Sequence, residues 1–306
     1  MNNLFKFYLL TTLFCFLNVS AQDQFECRRL TFDQAQNGFP TWSPDSKSIV
    51  YQYTDMRDTL GKNGLWKISL DEKEPKQIFK GLAEHPKWSP DGSCIVFDAD
   101  TGNSIKMIPY EGGKPIKFLP DSILIYNGGL PCWSPDGSKI AFMERSGLST
   151  CVYDMKNGNV ESIFSKKGML PLTGCWTIDG KNILIALMDM QTRKSTIQKI
   201  SIDGKVAEQI PGHLENFYRH LALSPDGSLI VYAAKEGKYI GLWIMPVEGG
   251  KSLPLAITQN AHNEGAAWSP DGKHIAFNST RSGNFDVWVM DVDIKQLENK
   301  LRELNK

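Results

Sequence analysis

The sequence WSPDGSKIAF at residues 133–142 recurs, with few changes, at residues 88–97 and 268–277. Three looser copies, WSPDSKSIVY, WTIDGKNILI and LSPDGSLIVY, begin at residues 42, 176 and 223. Their shared aspartates lie 43 to 47 residues apart, at Asp45, Asp91, Asp136, Asp179, Asp226 and Asp271. Repeats with a period of about 40–45 residues are typical of β-propeller blades. The sequence therefore predicts a six-bladed propeller.

The repeat at residues 262–292 shows how one blade forms. Ala266–Trp268 is a short apolar run, which predicts the inner strand, and the Ser-Pro-Asp-Gly after it favours a tight turn. HIAF at 274–277 and FDVWVMD at 285–291 are rich in β-branched, aromatic and alternating residues. These runs predict the second and third strands. In other repeats a glycine-containing turn leads to a fourth strand, so the expected fold class is all-β.

The sixth repeat lacks its own fourth strand. Residues 26–32, ECRRLTF, stand alone before the first repeat and have the composition of such a strand. We therefore expect this N-terminal strand to complete the last blade and to leave only short sheet edges. Residues 293–306 place Leu297, Leu301 and Leu304 at helical spacing. They predict an amphipathic C-terminal helix on the outside of a propeller that spans residues 22–292.

A tryptophan precedes the turn in five of the six copies. A single blade cannot bury both faces of its sheet, so large side chains must fill the space against a neighbouring blade. The favoured interpretation is therefore packing, and the alternative is a row of rings that stacks on carbohydrate. The residues at this position are Trp42, Trp88, Trp133, Trp176, Leu223 and Trp268.

Residues 1–21 have the layout of a secretory signal peptide. Lys6 precedes an apolar run, and Val19 and Ala21 supply the small residues of a cleavage site before Gln22. The run is too short to span a bilayer, and no transmembrane segment is expected after cleavage. The expected location is the periplasm or the cell exterior. Net charge is zero, with 34 basic and 34 acidic residues, and no basic stripe suggests a nucleic-acid partner.

Five cysteines follow the predicted signal peptide: Cys27, Cys94, Cys132, Cys151 and Cys175. Their odd number excludes complete intramolecular pairing, and their spacing contains no CxxC motif. We expect most of them to pack as small hydrophobic side chains, with a disulfide as the alternative. The DADTG sequence at 98–102 lacks the closing glutamate of a calcium loop and is interpreted as a solvated hairpin loop. No cofactor is predicted.

The copies WSPDGSKIAF and WSPDGKHIAF, with STRSGNFDVWVMD at 279–291, resemble the WD40-like propeller repeat of the TolB family. The resemblance spans about residues 26–292. It implies a six-bladed propeller, in the periplasm or outside the cell, that binds other molecules. Propeller-bearing peptidases share this repeat style and add a hydrolase domain, but GLSTC at 147–151 lacks the second glycine of their GxSxG motif.

The loops that precede the inner strands ring one mouth of the central channel, where propellers tend to bind. Most of their polar residues come from repeats two, five and six. The candidate binding residues are Asn37, Glu84, His85, Tyr218, Arg219, His220, His262, Asn263 and Glu264.

Two classes of function fit these residues. The leading hypothesis is a non-catalytic module that binds a protein or peptide of the cell envelope at this mouth. The alternative is a propeller lyase or hydrolase that uses a divalent metal, for which Glu84, His85, His262 and Glu264 supply ligands if their loops converge. A propeller that binds a small molecule or glycan differs from the first hypothesis only in the size of its ligand.

Overall fold

The computed structural model describes residues 25–71, 74–99, 104–116, 128–144, 146, 148–212, 219–258 and 260–306. The predicted signal peptide lies outside these residues. Within them, no helix has the length and hydropathy of a membrane-spanning segment.

The six repeats form six antiparallel sheets, in which each inner strand pairs with the strand that follows it. Strand β1 (Cys27–Arg29) comes first in the chain and belongs to the last sheet. The first blade consists of β2 (Gln36–Trp42), β3 (Ser48–Thr54), β4 (Gly64–Ser69) and β5 (Lys76–Lys80). The second consists of β6 (Ala83–Trp88), β7 (Cys94–Ala99) and β8 (Ser104–Pro109), with a single bridge from Met107 to Ile116 outside β8.

The remaining blades follow the same order. The third has β9 (Gly128–Trp133), β10 (Lys139–Glu144), β11 (Ser149–Asp154) and β12 (Val160–Ser165). The fourth has β13 (Met169–Trp176), β14 (Asn182–Asp189), β15 (Ser195–Ser201) and β16 (Ala207–Ile210). The fifth has β17 (Arg219–Leu223), β18 (Leu229–Glu236), β19 (Tyr239–Pro246) and β20 (Leu253–Ala256). The sixth has β21 (Asn263–Trp268), β22 (His274–Ser279) and β23 (Asp286–Asp291), with β1 as its outer strand.

The predicted closure of the ring by the N-terminal strand is confirmed. Strand β1 pairs antiparallel with β23, with Cys27 opposite Met290. The fully buried Asp286 secures the junction, because one of its oxygens lies 2.7 Å from the Arg29 guanidinium. Its other oxygen accepts a hydrogen bond of 2.8 Å from the Thr31 hydroxyl. Removal of Arg29 would leave a buried carboxylate without its counter-charge, which is strongly destabilising.

The predicted C-terminal helix is also confirmed as α1 (Ile294–Leu304). Asp293 is its N-cap and accepts a hydrogen bond from the Gln296 N–H, which satisfies one of the free donors of the first turn. Leu297 and Leu301 are buried in the apolar cluster of the fifth and sixth blades. Polar residues on the other side of the helix stay exposed, among them Lys295, Asn299 and Lys300. The helix therefore covers the ring from outside.

The four Ser-Pro-Asp-Gly copies and their two variants, SPDS at 43–46 and TIDG at 177–180, form nearly identical turns. In the third blade, the Ser134 hydroxyl donates to Asp136 at 2.6 Å and accepts from the Lys139 N–H at 2.9 Å. Asp136 also accepts from the Ser138 N–H at 3.0 Å. The next residue, Gly137, has a φ of 71°, which glycine adopts without a steric penalty. These bonds recur in every copy, with Thr177 in place of serine in the fourth blade.

The tryptophans before the turns pack between blades, as predicted. The indole of Trp42 donates across the blade boundary to the Ala267 carbonyl, and that of Trp176 donates to the Cys132 carbonyl. No disulfide joins the cysteines of the described residues, and three of them, Cys94, Cys132 and Cys151, are buried among apolar side chains. The packing interpretation is therefore confirmed for these three.

Candidate functional site

Each inner strand has a β-bulge at or beside the residue six positions before the turn aspartate. These residues are Phe39, His85, Leu130, Thr173, His220 and Gly265, and all six line a cavity in the channel. The backbone is left-handed at five of them, with φ values of 49°, 47°, 54°, 49° and 65° at Phe39, His85, Leu130, His220 and Gly265. For a non-glycine residue this conformation costs about 1–2 kcal/mol. Such strain concentrates at ligand clamps and active sites.

Three of these side chains meet in the channel, and we call Phe39, His85 and His220 the mouth cluster. The Phe39 ring centroid lies 4.2 Å from that of His85 and 4.9 Å from that of His220. The two imidazole centroids are 5.7 Å apart. The cavity beside the cluster has a volume of about 30 Å³, which is room for little more than a water molecule. The cluster therefore narrows the channel to a constriction.

A buried carboxylate fixes one member of the cluster. Asp98, on β7, has no exposed surface, and its Oδ2 lies 2.9 Å from the His85 Nδ1. The same oxygen accepts from the Leu130 N–H at 3.1 Å. Because a carboxylate is an acceptor, it selects the tautomer with hydrogen on Nδ1 and leaves Nε2 as the acceptor of the neutral ring. The interpretation of residues 98–102 as a solvated loop is therefore wrong for Asp98, since the strand extends through it. Residues 100–102 lie outside the described residues.

Asn278 occupies the same position in the sixth blade. Its Oδ1 accepts from the Phe39 N–H at 3.3 Å, as Asp98 accepts from Leu130. Gly265 takes the place that His85 has in the second blade, and a Cβ there would lie 2.1 Å from the Asn278 Oδ1. Asp98 and Asn278 thus each accept a hydrogen bond from the backbone N–H at the bulge of the following blade. Only Asp98, in the second blade, also contacts a histidine, His85.

The candidate residues predicted from sequence have different positions in the structure. His85 and His220 come together in the mouth cluster. Asn37 and Asn263 are fully buried, so neither side chain offers surface to a partner. The Asn37 amide donates to Asp33 at 2.9 Å, and the Asn263 Oδ1 accepts from Arg281 at 3.1 Å.

Glu84 and Glu264 occupy equivalent positions beside the bulge, opposite Asp98 and Asn278 on the neighbouring strands. Glu84 is half-buried, whereas Glu264 is 8% exposed. His262 lies farther out, with its ring edge-on to Tyr239 at a centroid distance of 5.4 Å. Arg219 begins β17, and Tyr218 lies outside the described residues.

No three histidine, cysteine, aspartate or glutamate side chains of the described residues come together as a metal-ligand group. Glu84, His85, His262 and Glu264 are therefore not assembled in the way that the metal-dependent hypothesis requires.

The loops around this mouth carry exposed apolar side chains. We call this end of the ring, where the inner strands begin and the second-to-third strand loops lie, the mouth face. Met56 and Leu60, between β3 and β4, are 92% and 73% exposed, and Phe32, between β1 and β2, is 73% exposed. These are the three most exposed large apolar side chains of the described residues. Contiguous apolar surface marks interaction sites on soluble proteins, and these three side chains are candidates for anchors on such a surface.

The opposite end of the channel is wider. Here the turn face, which carries the six aspartate-containing turns of the repeats, opens into a cavity of about 360 Å³ that we call the turn-side funnel. All six inner strands contribute to its wall, which includes Trp42, Trp88, Trp133, Trp176 and Trp268. Lys87 lines both this funnel and the small cavity at the mouth cluster, so it lies where the two meet.

Comparison with solved structures assigns the architecture. A protein assigned as TolB from Agrobacterium tumefaciens superposes with a TM-score of 0.63 at 21% identity, over 87% of this chain and 94% of that chain. TolB from Acinetobacter baumannii gives a TM-score of 0.62 at 23% identity, over 78% of this chain and 59% of that one. The fold is that of the TolB propellers. The chain spans less than two thirds of the Acinetobacter protein.

Other comparisons show that this fold also occurs in enzymes. Oligogalacturonate lyase from Vibrio parahaemolyticus has a TM-score of 0.62 at 13% identity, over 90% of this chain and 96% of that chain. Among curated sequences, an uncharacterised protein of Agrobacterium fabrum is 28% identical over 116 residues, which is 38% of this chain and 39% of the relative. No family model matches the chain. The TolB-like fold thus leaves both binding and catalysis to be decided from the site.

Sequence reasoning missed Phe39, Asp98 and Lys87. Lys87 is visible once the six copies are aligned, because it is the one charged residue in a column that otherwise holds small uncharged side chains. Asp98 is the one charged residue in a column that also holds Gln52 and Asn278. Phe39 gives no such signal, because the side chains of its column vary widely among the copies.

Proposed function

We propose that this TolB-like propeller is a non-catalytic binding module of the cell envelope or the cell exterior, which engages a protein or peptide at its mouth face. The observation that carries the proposal is the concentration of the most exposed apolar side chains, Met56, Phe32 and Leu60, on the loops of that face. Protein interfaces owe most of their binding energy to a few such anchors. The predicted signal peptide supports the location.

The mouth cluster forms the base of this proposed binding surface. Phe39, His85 and His220 close the channel below the loops, so a bound segment rests on rings from three blades. The three rings pack against one another, which fixes their positions before a partner arrives. A preorganised surface reduces the entropy that binding must otherwise overcome. We therefore expect the loops to supply most of the affinity and the cluster to supply specificity.

A cross-linking pull-down from envelope extract tests the proposal. The rim variant Met56→Ser/Leu60→Ser removes two exposed apolar side chains of the mouth face. The matched control, Ile178→Ser, removes one that is 56% exposed in the turn between β13 and β14, on the turn face. We expect the wild type and the control to capture the same protein and the rim variant to lose it. Capture by the rim variant at wild-type level would contradict the proposal.

One observation favours a second candidate, an enzyme with His85 as general base. A histidine oriented by a buried carboxylate is the arrangement that general-base catalysis uses. However, Asn278 performs the structural part of the Asp98 role in a blade without a histidine at the bulge. Incubation with oligogalacturonides and sugar lactones distinguishes the two. Turnover that disappears in His85→Gln would establish the enzyme, and absence of turnover agrees with the binding module.

A further inference from the structure

Lys87 is a charged residue in an otherwise uncharged channel segment. It stands four residues before the turn aspartate of the second blade, in the column that Thr41, Cys132, Cys175, Ala222 and Ala267 occupy in the other blades. All of these residues line the turn-side funnel, and none of the described residues of its wall is an aspartate or glutamate. The second blade thus places a cation where every other blade places a small uncharged side chain.

The described funnel wall around the Lys87 ammonium contains no carboxylate, and Asp98, which acts on the ammonium electrostatically, is not part of that wall. The residue lies deep in the molecule, yet its side chain keeps accessible surface, which is surface of the channel. Burial lowers the pKa of Lys87, because the cation loses hydration that no carboxylate of the funnel replaces. Such a group is costly unless a counter-charge arrives.

The neighbouring groups compensate the charge of Lys87 only in part. Burial raises the pKa of the Cys132 and Cys175 thiols, and it raises the pKa of Cys175 to about 11, so both thiols are neutral at pH 7. Asp98 favours the charged form of Lys87 electrostatically, and its buried Oδ1 has no hydrogen-bond partner among the described residues. However, Asp98 is not part of the funnel wall, and its Oδ2 is engaged by the His85 ring and the Leu130 N–H. The described funnel wall itself therefore supplies no anionic group to the lysine.

The size and lining of the funnel restrict the size and polarity of a ligand that could supply this counter-charge. Its volume of about 360 Å³ lies within the range of small-molecule pockets. The channel narrows beyond Lys87, since the cavity at the mouth cluster holds only about 30 Å³. The wall above the lysine consists mainly of tryptophan, proline and small apolar residues. A ligand that complements both Lys87 and the apolar wall has one anionic end and an apolar body.

We propose that the turn-side funnel binds a small apolar monocarboxylate, with its carboxylate against Lys87 and its apolar body among the tryptophan rings. An arylalkanoic acid has this chemistry. An ammonium–carboxylate hydrogen bond in a site of low dielectric is about twice as strong as a neutral one. The site is independent of the protein-binding surface proposed for the mouth face, because the constriction separates them.

Isothermal titration with 4-phenylbutyrate and its neutral analogue 4-phenylbutanamide tests the proposal. We expect the acid to bind wild-type protein at least tenfold more tightly than the amide, and to change the fluorescence of the funnel tryptophans. In Lys87→Met, which keeps the length of the side chain without its charge, the preference for the acid should disappear. The control Lys47→Met removes an exposed lysine of the turn face and should retain the preference.

Three results would overturn the proposal. Equal affinity for acid and amide would mean that the funnel takes an uncharged apolar group, such as a side chain of a peptide. A preference that persists in Lys87→Met would place the anion elsewhere. Absence of binding by either compound at millimolar concentration would exclude this ligand class. If Lys87→Met fails to fold, the comparison of acid with amide on the wild type still decides between charged and uncharged recognition.

Discussion

The six turns follow the inner strands and the six bulges lie within those strands, and the two features differ in how strictly they repeat. Every turn contains the same hydroxyl-to-aspartate hydrogen bond of 2.6 Å. Five of the six bulges share a left-handed residue, whereas the side chains at the six positions vary: phenylalanine, histidine, leucine, threonine, histidine and glycine. The constant turns set the hairpin of each blade. The variable bulges supply the side chains that distinguish this propeller from others of the same fold.

The bulges of the first and third blades sharpen this contrast. Asn278 holds the bulge at Phe39, and Asp98 holds the bulge at Leu130. One is a neutral amide beside a glycine, and the other is a carboxylate beside His85. The shared hydrogen bond belongs to the architecture, whereas the charge and the imidazole are specific to one side of the channel.

The largest expected effect is at Gly265. A Cβ there would meet the Asn278 Oδ1 at 2.1 Å, and the backbone has a φ of 65°. We expect Gly265→Ala to lower the free energy of unfolding by about 3 kcal/mol, through overpacking and backbone strain together. Gly237 has a φ of 58° and no atom within 4 Å of its added Cβ, so Gly237→Ala isolates the strain. Its expected cost is about 1 kcal/mol. Equal costs in urea unfolding would contradict the packing account.

An intermediate effect is expected at Asp98. Asp98→Ala leaves the buried Leu130 N–H without its acceptor and should cost about 2 kcal/mol. Asp98→Asn reproduces the side chain that the sixth blade uses and should cost less than half as much. Thermal and urea unfolding of both variants measure the difference. If the asparagine variant is as unstable as the alanine variant, the charge beside His85 matters more than the shared hydrogen bond.

The smallest effect is expected at a turn, because each turn is solvated and is one of six. The Ser134 hydroxyl and the Ser138 N–H lower the pKa of Asp136 from 3.8 to about 2. A carboxyl whose pKa is depressed by folding stabilises the protein above its unfolded pKa and loses this contribution as the pH falls. Asp136→Asn should therefore lower Tm slightly at pH 6, and the difference should vanish between pH 4 and pH 2.

Asp71→Asn, at an exposed aspartate outside the repeated turns, is the control for that titration. A difference between wild type and Asp136→Asn that stays constant from pH 6 to pH 2 would contradict the role assigned to the turn carboxylate.

The blades, the N-terminal closing strand and the C-terminal helix were predictable because they follow from periodicity and turn chemistry. The Ser-Pro-Asp-Gly copies specify a hairpin locally, and the missing fourth strand of the last repeat requires residues 26–32. The mouth cluster was harder to predict, because a bulge changes which side chains face the channel. Asn37 and Asn263 were assigned to the mouth by their place in the chain, but the strand pairing buries them.

Photo-cross-linking tests the central claim most directly, which is that partners bind where the blades differ rather than where they repeat. A photoreactive side chain at Met56 samples the mouth face, and one at Ile178 samples the turn face; both positions are exposed. Irradiation in envelope extract should give a protein adduct from Met56 and none from Ile178. An adduct from Ile178 alone, or equal adducts from both positions, would contradict the claim.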